Sequence, residues 1–201
     1  MDKTKKKQLW GLIALVAVML LLDQALKVYV KLNFFLGEVR PILGDWFSLC
    51  FVENNGMAFG IQWFDKIFLT LFRIVAVGAL IYYVGTLLKR GCRTSYLMTI
   101  GLVIAGAMGN IIDCMFYGLI FTDSYGQIAQ LVPWGQGYES FMYGRVVDMF
   151  SFSFFPPVFN IADSCITVAV FLIIIFFRKD LNDSLEKQPI EQEQSDDAKK
   201  I

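Results

Sequence analysis

Four long apolar stretches, separated by polar or mixed segments, dominate the hydrophobic pattern of the chain. They cover approximately residues 9–30, 67–88, 95–120 and 158–177. An α-helix needs about 20 predominantly apolar residues to cross the hydrocarbon core of a bilayer, and each stretch reaches that length. The pattern therefore predicts an all-α integral membrane protein, with four transmembrane helices in a single domain over residues 1–181.

The segments between the spans carry turn-forming and aromatic residues. Residues 46–52 are rich in β-forming side chains and predict a short strand, so that a small β-containing outer segment lies between the first two helices. The run Asn54-Asn55-Gly56 is typical of a turn, because Asn and Gly tolerate positive φ angles. Residues 121–157 connect the third helix to the fourth, and their aromatic stretch 127–143 predicts a segment that lies in the membrane interface. Residues 182–201 are polar and predict a disordered cytoplasmic tail.

Composition supports the membrane assignment, and the charge distribution predicts the orientation. The chain is 56% hydrophobic and has a mean hydropathy of +0.55, too apolar for an ordinary soluble domain. Lys and Arg cluster before the first span, between the second and third, and after the fourth. The positive-inside rule then predicts that both termini are cytoplasmic and that the two long connections face outward. The formal net charge is zero, which indicates no nucleic-acid partner.

Histidine is absent from the sequence, which excludes several classes of hydrolase. A Ser-His-Asp triad, a Cys-His pair and the HExxH zinc helix all require it. Cys50, Cys92, Cys114 and Cys165 have neither CxxC nor zinc-ligand spacing. Hydrolytic chemistry would therefore rest on carboxylates, hydroxyls, lysine or thiols, and we expect no metal and no other cofactor.

Two aspartates, Asp148 and Asp163, lie in strongly apolar surroundings near the start of the fourth span. An ionisable group inside a membrane span costs roughly 3 kcal/mol or more, so such a residue is a functional candidate. Two carboxylates that share a site can split their pKa values and act as acid and base. The residues alone leave a second interpretation open, in which Asp148 is a loop residue and Asp163 a helix cap.

Further polar residues lie at the predicted outer ends of the other spans. Asp23 and Lys27 are four residues apart, and Asn110 and Asp113 are three apart, so each pair shares a helix face. The alternatives are an isolated ion pair with Lys27 reaching to water, and interhelical hydrogen bonding by Asn110 and Asp113. Clustering at one membrane face indicates a site that opens on the outer interface. It argues against a small ion-coupled transporter, the alternative function, whose relay charges would occupy several depths.

Five short motifs in order resemble the lipoprotein signal peptidase, or signal peptidase II, family. They are L-L-D-Q-A-L-K (21–27), E-N-N-G-M-A-F-G (53–60), G-N-I-I-D (109–113), V-V-D-M (146–149) and F-N-I-A-D-S (159–164). The resemblance implies an aspartic endopeptidase of the bacterial inner membrane that needs no cofactor. It would remove signal peptides from prolipoproteins by cleaving before a diacylglyceryl-modified cysteine. Its partners would be that substrate and membrane lipids, and we expect a monomer.

The resemblance also assigns the site residues. Asp148 and Asp163 would be the catalytic pair. The candidates for substrate binding or support of the site are Asp23, Lys27, Asn54, Gly56, Asn110, Asp113, Arg145, Asn160 and Ala162.

The sequence departs from the family pattern in two places. Cys114 follows the G-N-I-I-D motif where the family usually has arginine, and Arg145 is the candidate that replaces this charge. The connection to Asp148 is also longer than is usual, so residues 119–143 are expected to form an added interfacial flap. Its glycines, including Gly135, Gly137 and Gly144, predict hinges of a mobile lid.

Overall fold

The computed structural model describes residues 2–54 and 66–186. The helices and strands follow in the order α1 (Lys3–Asn33), β1 (Val39–Leu43), β2 (Phe47–Asn54), α2 (Lys66–Arg90), α3 (Thr94–Ile112), α4 (Gly118–Ile120), β3 (Val146–Phe152), β4 (Phe155–Phe159), α5 (Ile161–Phe176) and α6 (Arg178–Leu185). A π-helical turn, Asp113–Tyr117, joins α3 to α4, so Thr94–Ile120 is one continuous helix. Gly56 lies outside the described residues.

The described part of the chain contains three to four candidate membrane helices. α1, α2 and the continuous helix Thr94–Ile120 are each long and apolar enough to cross a bilayer. α5 is shorter and bends by 85° into α6, and this pair could form a fourth, broken span. The predicted, mostly helical architecture with apolar helices of membrane-spanning length is therefore confirmed, and the count of four spans stays a prediction.

The β structure is larger than the single strand that was predicted. A four-stranded antiparallel sheet has the order β1-β2-β3-β4, and β2 confirms the strand expected near residues 46–52. β3 and β4 lie after the expected insertion, in the last part of the connection 121–157 and the first residues of the expected fourth span. This stretch is rich in Val and Phe, which favour a pleated surface. Pro156 and Pro157 are tolerated because β4 is an edge strand.

Small residues let α3 approach α1 and α5 closely. A methyl group added at Gly101 would lie 2.4 Å from Leu12 Cδ1 on α1, and one added at Gly106 would lie 2.3 Å from the Ala162 carbonyl oxygen on α5. Small residues at helix contacts permit such close packing in membrane proteins. α3 is the central helix of the bundle and carries Asn110 into the space between its two neighbours.

The insertion after α4, residues 121–145, is irregular but is held to the helix that precedes it. Its backbone N–H groups donate to carbonyls near the end of that helix, from Val132 to Ile120 (2.9 Å), Glu139 to Gly118 (2.9 Å) and Gly144 to Cys114 (2.8 Å). A Cβ on Gly137 would lie 2.0 Å from the Gly118 oxygen, and one on Gly144 would lie 2.1 Å from the Asp113 oxygen. These two glycines therefore permit close backbone contact, a role that differs from the predicted hinge.

The predicted boundary of the disordered tail at residue 182 is too early. α6 continues to Leu185, and the Ser184 carbonyl accepts a hydrogen bond of 2.6 Å from Arg90 on α2. The Ser184 hydroxyl also bonds to the Tyr83 hydroxyl. These contacts extend the helical structure beyond the apolar run. The rest of the predicted tail, residues 187–201, lies outside the described residues.

Candidate active site

Asn160 begins α5 and brings the two predicted catalytic aspartates together. It is the N-cap residue, and its Oδ1 accepts the backbone N–H of Asp163 at 2.9 Å. Such a cap satisfies one of the free N–H groups at a helix start. The Nδ2 of the same side chain donates to Asp148 Oδ1 at 2.7 Å. The buried Asn160 amide therefore contacts both residues of the pair.

Neither aspartate has the role given by the alternative interpretation of the sequence. Asp148 is a strand residue of β3, paired with Val52 of β2, and not a loop residue. Asp163 lies in the first turn of α5, but Asn160 provides the cap. The Asp163 carboxylate is consequently available for another contact, and its Oδ1 accepts a hydrogen bond of 2.9 Å from Asn110 Nδ2.

Asp148 is buried, with an exposed fraction of only 3%. Burial raises the pKa of Asp148 to about 7, and the negative charge of Asp163 acts in the same direction. Hydrogen bonds from Asn54 Nδ2 (3.3 Å) and Asn160 Nδ2 act against this shift without cancelling it. A carboxyl group with this pKa carries a proton for part of the time near neutral pH, as an acid–base pair requires.

Lys27 is completely buried and holds a cluster of polar side chains beneath the pair. Its Nζ lies 2.9 Å from Asp23 Oδ2, 2.8 Å from Asp113 Oδ2 and 2.9 Å from Asn110 Oδ1. The alternative in which Lys27 extends to water is wrong, because its side chain has no exposed surface. The ammonium lies between the two carboxylates and offsets part of their negative charge. In the described part of the chain, no group of three or more His, Cys, Asp or Glu side chains is placed to hold a metal ion.

The carboxylates of this cluster also hold the two backbone segments that carry the catalytic candidates. Asp23 Oδ1 accepts the backbone N–H of Ala162, in the first turn of α5, at 2.9 Å. Asp113 Oδ2 accepts the backbone N–H of Val147, next to Asp148 on β3, at 3.2 Å. The cluster therefore fixes the start of α5 and the middle of β3 relative to α1 and α3.

Gln24 is a site residue that the sequence interpretation missed. Its Nε2 donates to Asp113 Oδ1 at 2.9 Å and to the Gly109 carbonyl at 3.2 Å, and its Oε1 accepts from the Tyr117 hydroxyl at 3.2 Å. A polar amide beside Asp23 within an apolar span was the available signal. Gln24 completes the hydrogen bonding around the buried cluster.

Comparison with known proteins identifies the family to which this arrangement belongs. Residues 15–179 match the family described as signal peptidase (SPase) II. The chain belongs to the signal peptidase II family. A lipoprotein signal peptidase of Porphyromonas gingivalis is 45% identical over 184 residues, covering 82% of this chain and 81% of that protein. One from Amoebophilus asiaticus is 32% identical over 205 residues, covering 90% and 83%.

A solved structure has the same fold as this member of the signal peptidase II family. It is described as a bacterial membrane enzyme and aligns with a TM-score of 0.62 at 26% sequence identity. The alignment covers 89% of this chain and 93% of that one. The chain is thus a bacterial membrane peptidase, which agrees with its apolar helices.

Arg145 contacts acidic residues that lie outside the catalytic pair. Its guanidinium does not join the aspartate pair but lies 2.8 Å from Glu53 Oε2 and 3.1 Å from Asp123 Oδ1. The buried Cys114, which stands where arginine was expected, is instead approached by Arg73 of α2, with 3.9 Å between Nη1 and Sγ. A contact between residues on separate helices could not be inferred from sequence spacing.

Proposed function

We propose that the chain is an aspartic endopeptidase in which Asp148 and Asp163 are the catalytic pair. It removes signal peptides from prolipoproteins, and it cleaves just before a cysteine that carries diacylglycerol. The observation that carries this proposal is the contact of Asn160 with both residues, through Asp148 Oδ1 and the Asp163 backbone N–H. The names of the relatives support the substrate class.

The resting pair holds one proton, which we assign to Asp148. Burial and the neighbouring charge raise the pKa of this group to about 7. Asp163 is the base: its Oδ1 accepts from Asn110 Nδ2, and the oxygen of that same amide accepts from the Lys27 ammonium. These hydrogen bonds hold the Asp163 carboxylate in a fixed orientation.

Hydrolysis proceeds in two steps, and each aspartate takes part in one proton transfer in each step. Asp163 takes a proton from water, the resulting hydroxide attacks the scissile carbonyl carbon, and Asp148 gives its proton to the carbonyl oxygen. Asp163 then protonates the leaving amine as the C–N bond breaks, while Asp148 recovers a proton from the tetrahedral intermediate. One water molecule is consumed, and the pair returns to its starting state.

In the membrane, α5 is the fourth span, α6 turns by 85° at its cytoplasmic end, and both termini lie in the cytoplasm. The 16 residues of α5 rise about 24 Å, less than the roughly 30 Å of the hydrocarbon core. With Phe176 at the cytoplasmic boundary, Asp163 lies about 20 Å above it, in the outer half of the hydrocarbon core of the inner membrane. A lipid-anchored cysteine at the outer leaflet can reach that depth. The chain acts as a monomer in contact with the surrounding lipids.

No contact in the described residues favours the ion-coupled transporter. Asp23 and Asp113 are both held by Lys27, so these carboxylates have a fixed structural role. The relatives from Porphyromonas gingivalis and Amoebophilus asiaticus are peptidases.

A cleavage assay on the purified protein tests the proposal. The full chain, reconstituted in phospholipid, is incubated with a prolipoprotein peptide that carries a diacylglyceryl cysteine, and the products are identified by mass spectrometry. We expect a new N-terminus at the modified cysteine. The same peptide with an unmodified cysteine is the control and should remain largely intact. Cleavage at another bond, or none at all, would contradict the proposed substrate or activity.

A further inference from the structure

A second buried charge cluster lies beside the site and has no part in the mechanism above. Lys31 of α1 and Glu53 of β2 form an ion pair, with exposed fractions of 0% and 2%. Lys31 Nζ also donates to Ser124 Oγ at 3.0 Å. Although burial acts in the opposite direction, the Lys31 charge lowers the pKa of Glu53, so the carboxylate is ionised. A buried pair of this kind requires several partners.

The insertion supplies those partners. Ser124 Oγ donates to Glu53 Oε1 at 2.8 Å, and Arg145, at the end of the insertion, lies 2.8 Å from Glu53 Oε2. The Tyr138 hydroxyl accepts the backbone N–H of Arg145 at 2.6 Å. We call Lys31, Glu53, Ser124, Tyr138 and Arg145 the insertion lock. It joins α1 and β2 to the insertion, whose last residue, Arg145, directly precedes β3.

Aromatic rings enclose the cationic groups of the insertion lock. Lys31 Nζ is 5.0 Å from the centre of the Tyr138 ring and 5.4 Å from that of Phe121. The Arg145 guanidinium carbon is 4.7 Å from the centre of the Tyr138 ring. Cation–π contacts are stronger when water is excluded. Tyr138 therefore holds both cations as well as the backbone at Arg145.

Glu53 of the insertion lock and Asp148 of the catalytic pair lie on opposite faces of the β2–β3 strand pair. Val52 pairs with Asp148, Glu53 with Val147, and Asn54 with Val146. Because successive side chains of a strand point to opposite faces, Glu53 points away from the face that carries Asn54 and Asp148. The β2–β3 register also shifts between Leu49 and Val52, immediately beside this point. Such an irregularity interrupts the ladder that would otherwise hold Asp148 in place.

We propose that Glu53 and its partners in the insertion lock are positioning residues, which fix β2 and β3 so that Asn54 and Asp148 meet Asp163. This inference rests on the proposed peptidase function. The insertion is then part of the enzyme's scaffold, because it contributes three of the five residues. The rate depends on the placement of the catalytic pair, because a displacement of about 1 Å in an active site can reduce the rate roughly 100-fold.

Two variants break the insertion lock to different extents. Glu53→Gln removes the charge that faces Lys31 and Arg145, and Tyr138→Phe removes only the hydroxyl that accepts the Arg145 N–H. The matched control is Glu38→Gln, which makes the same chemical change in a partly exposed ion pair with Arg40 at the start of β1. Each variant is purified as the full chain in phospholipid. The measurements are kcat and KM on the diacylglyceryl peptide, and amide hydrogen exchange of the peptide 146–152.

We expect kcat to fall about tenfold or more for Glu53→Gln and less for Tyr138→Phe, with KM changed by no more than about twofold. Amide exchange in the peptide 146–152 should become faster than in the parent, and more so for Glu53→Gln than for Tyr138→Phe. Glu38→Gln should match the parent in kcat, KM and exchange. Faster exchange with unchanged kcat would overturn the inference, because the lock would then stabilise the fold without positioning the pair. Unchanged exchange would overturn it too.

The exchange measurement separates this inference from the proposed function. If the parent protein did not cleave the peptide, the peptidase proposal would fail. Exchange in 146–152 would still reveal whether the insertion lock holds β3. If Glu53→Gln did not fold, Tyr138→Phe would decide the outcome, since it retains every charge of the cluster.

Discussion

The side chain of Asn110 connects Lys27 to Asp163. Its Oδ1 accepts from Lys27 Nζ and its Nδ2 donates to Asp163 Oδ1, both at 2.9 Å. One amide thus links a buried cation on α1 to a catalytic candidate on α5. The connection orients the Asp163 carboxylate.

Replacing Asn110 by alanine should therefore impair the chemistry more than substrate binding. We expect Asn110→Ala to lower kcat roughly 10- to 100-fold with a small change in KM, because Asp163 loses its donor. Steady-state kinetics on the diacylglyceryl peptide measure this. Asn182→Ala, in α6, is the control and should behave as the parent. A loss confined to KM would contradict the orienting role.

The catalytic pair itself predicts a near-complete loss of activity in either amide variant. Asp148→Asn and Asp163→Asn should each abolish cleavage while the protein still folds, because neither carboxylate can perform both proton transfers. Single-turnover assays and thermal unfolding of the purified variants provide the test. Asp180→Asn, in α6, is a matched change outside the site and should be fully active. Turnover near the parental rate in either pair variant would disprove the assignment.

The pKa of Asp148 predicts how activity depends on pH. Burial raises this pKa to about 7, so the pair loses its shared proton as the pH rises through that value. We expect kcat to fall between about pH 7 and pH 9. A rate that stays constant over this range would show that the proton on Asp148 is not required.

The same shift predicts a pH-dependent difference in stability. A carboxyl group whose pKa is raised in the folded state makes its full contribution to folding stability below its unfolded pKa, near 4. This contribution is lost as the pH rises through the folded pKa, which for Asp148 is about 7. Asp148→Asn should therefore match the parent in Tm at about pH 4 to 5 and exceed it by roughly 5 °C at about pH 8. Thermal unfolding across this range measures the difference. A parent that is relatively more stable at the alkaline end would contradict burial as the cause.

Close packing of the insertion can be tested with two glycine variants. A methyl group on Gly137 would lie 2.0 Å from a backbone oxygen, whereas one on Gly78 of α2 would meet no atom within 4 Å. Gly137→Ala should lower Tm by several degrees, and Gly78→Ala should leave it unchanged or slightly higher. Equal Tm values for the two variants would indicate that the insertion yields easily, as a hinged lid would.

The hydrophobic pattern predicted the helices because a membrane imposes a length and a composition that a sequence displays directly. It did not predict β3 and β4, since the Phe- and Val-rich run before α5 resembles the start of an apolar span. The structure places that run in a sheet because β2 is available to pair with it. Pairing between distant segments depends on the whole fold and leaves little trace in local sequence.

The site residues also divide into those that the sequence predicted and those that it missed. Asp148, Asp163, Asn110 and Asn160 were expected near one another, and the structure brings them into contact. Arg145 was expected to replace the charge of the arginine that the family usually has at position 114, and this role stays a prediction. In the structure its guanidinium lies beside Glu53 and Asp123. Gln24 and Glu53 were missed because their partners lie on other elements of the fold.

The proline residues of the sheet have a consequence for self-association. β1 contains Pro41, and β4 contains Pro156 next to Pro157. Successive N–H groups along a strand point to opposite sides, so one of the two adjacent prolines removes a donor from the free edge of β4. An open strand edge is a template on which a second chain can add. The free edge of β4 is therefore a poor template, which opposes edge-to-edge association of the enzyme through this strand.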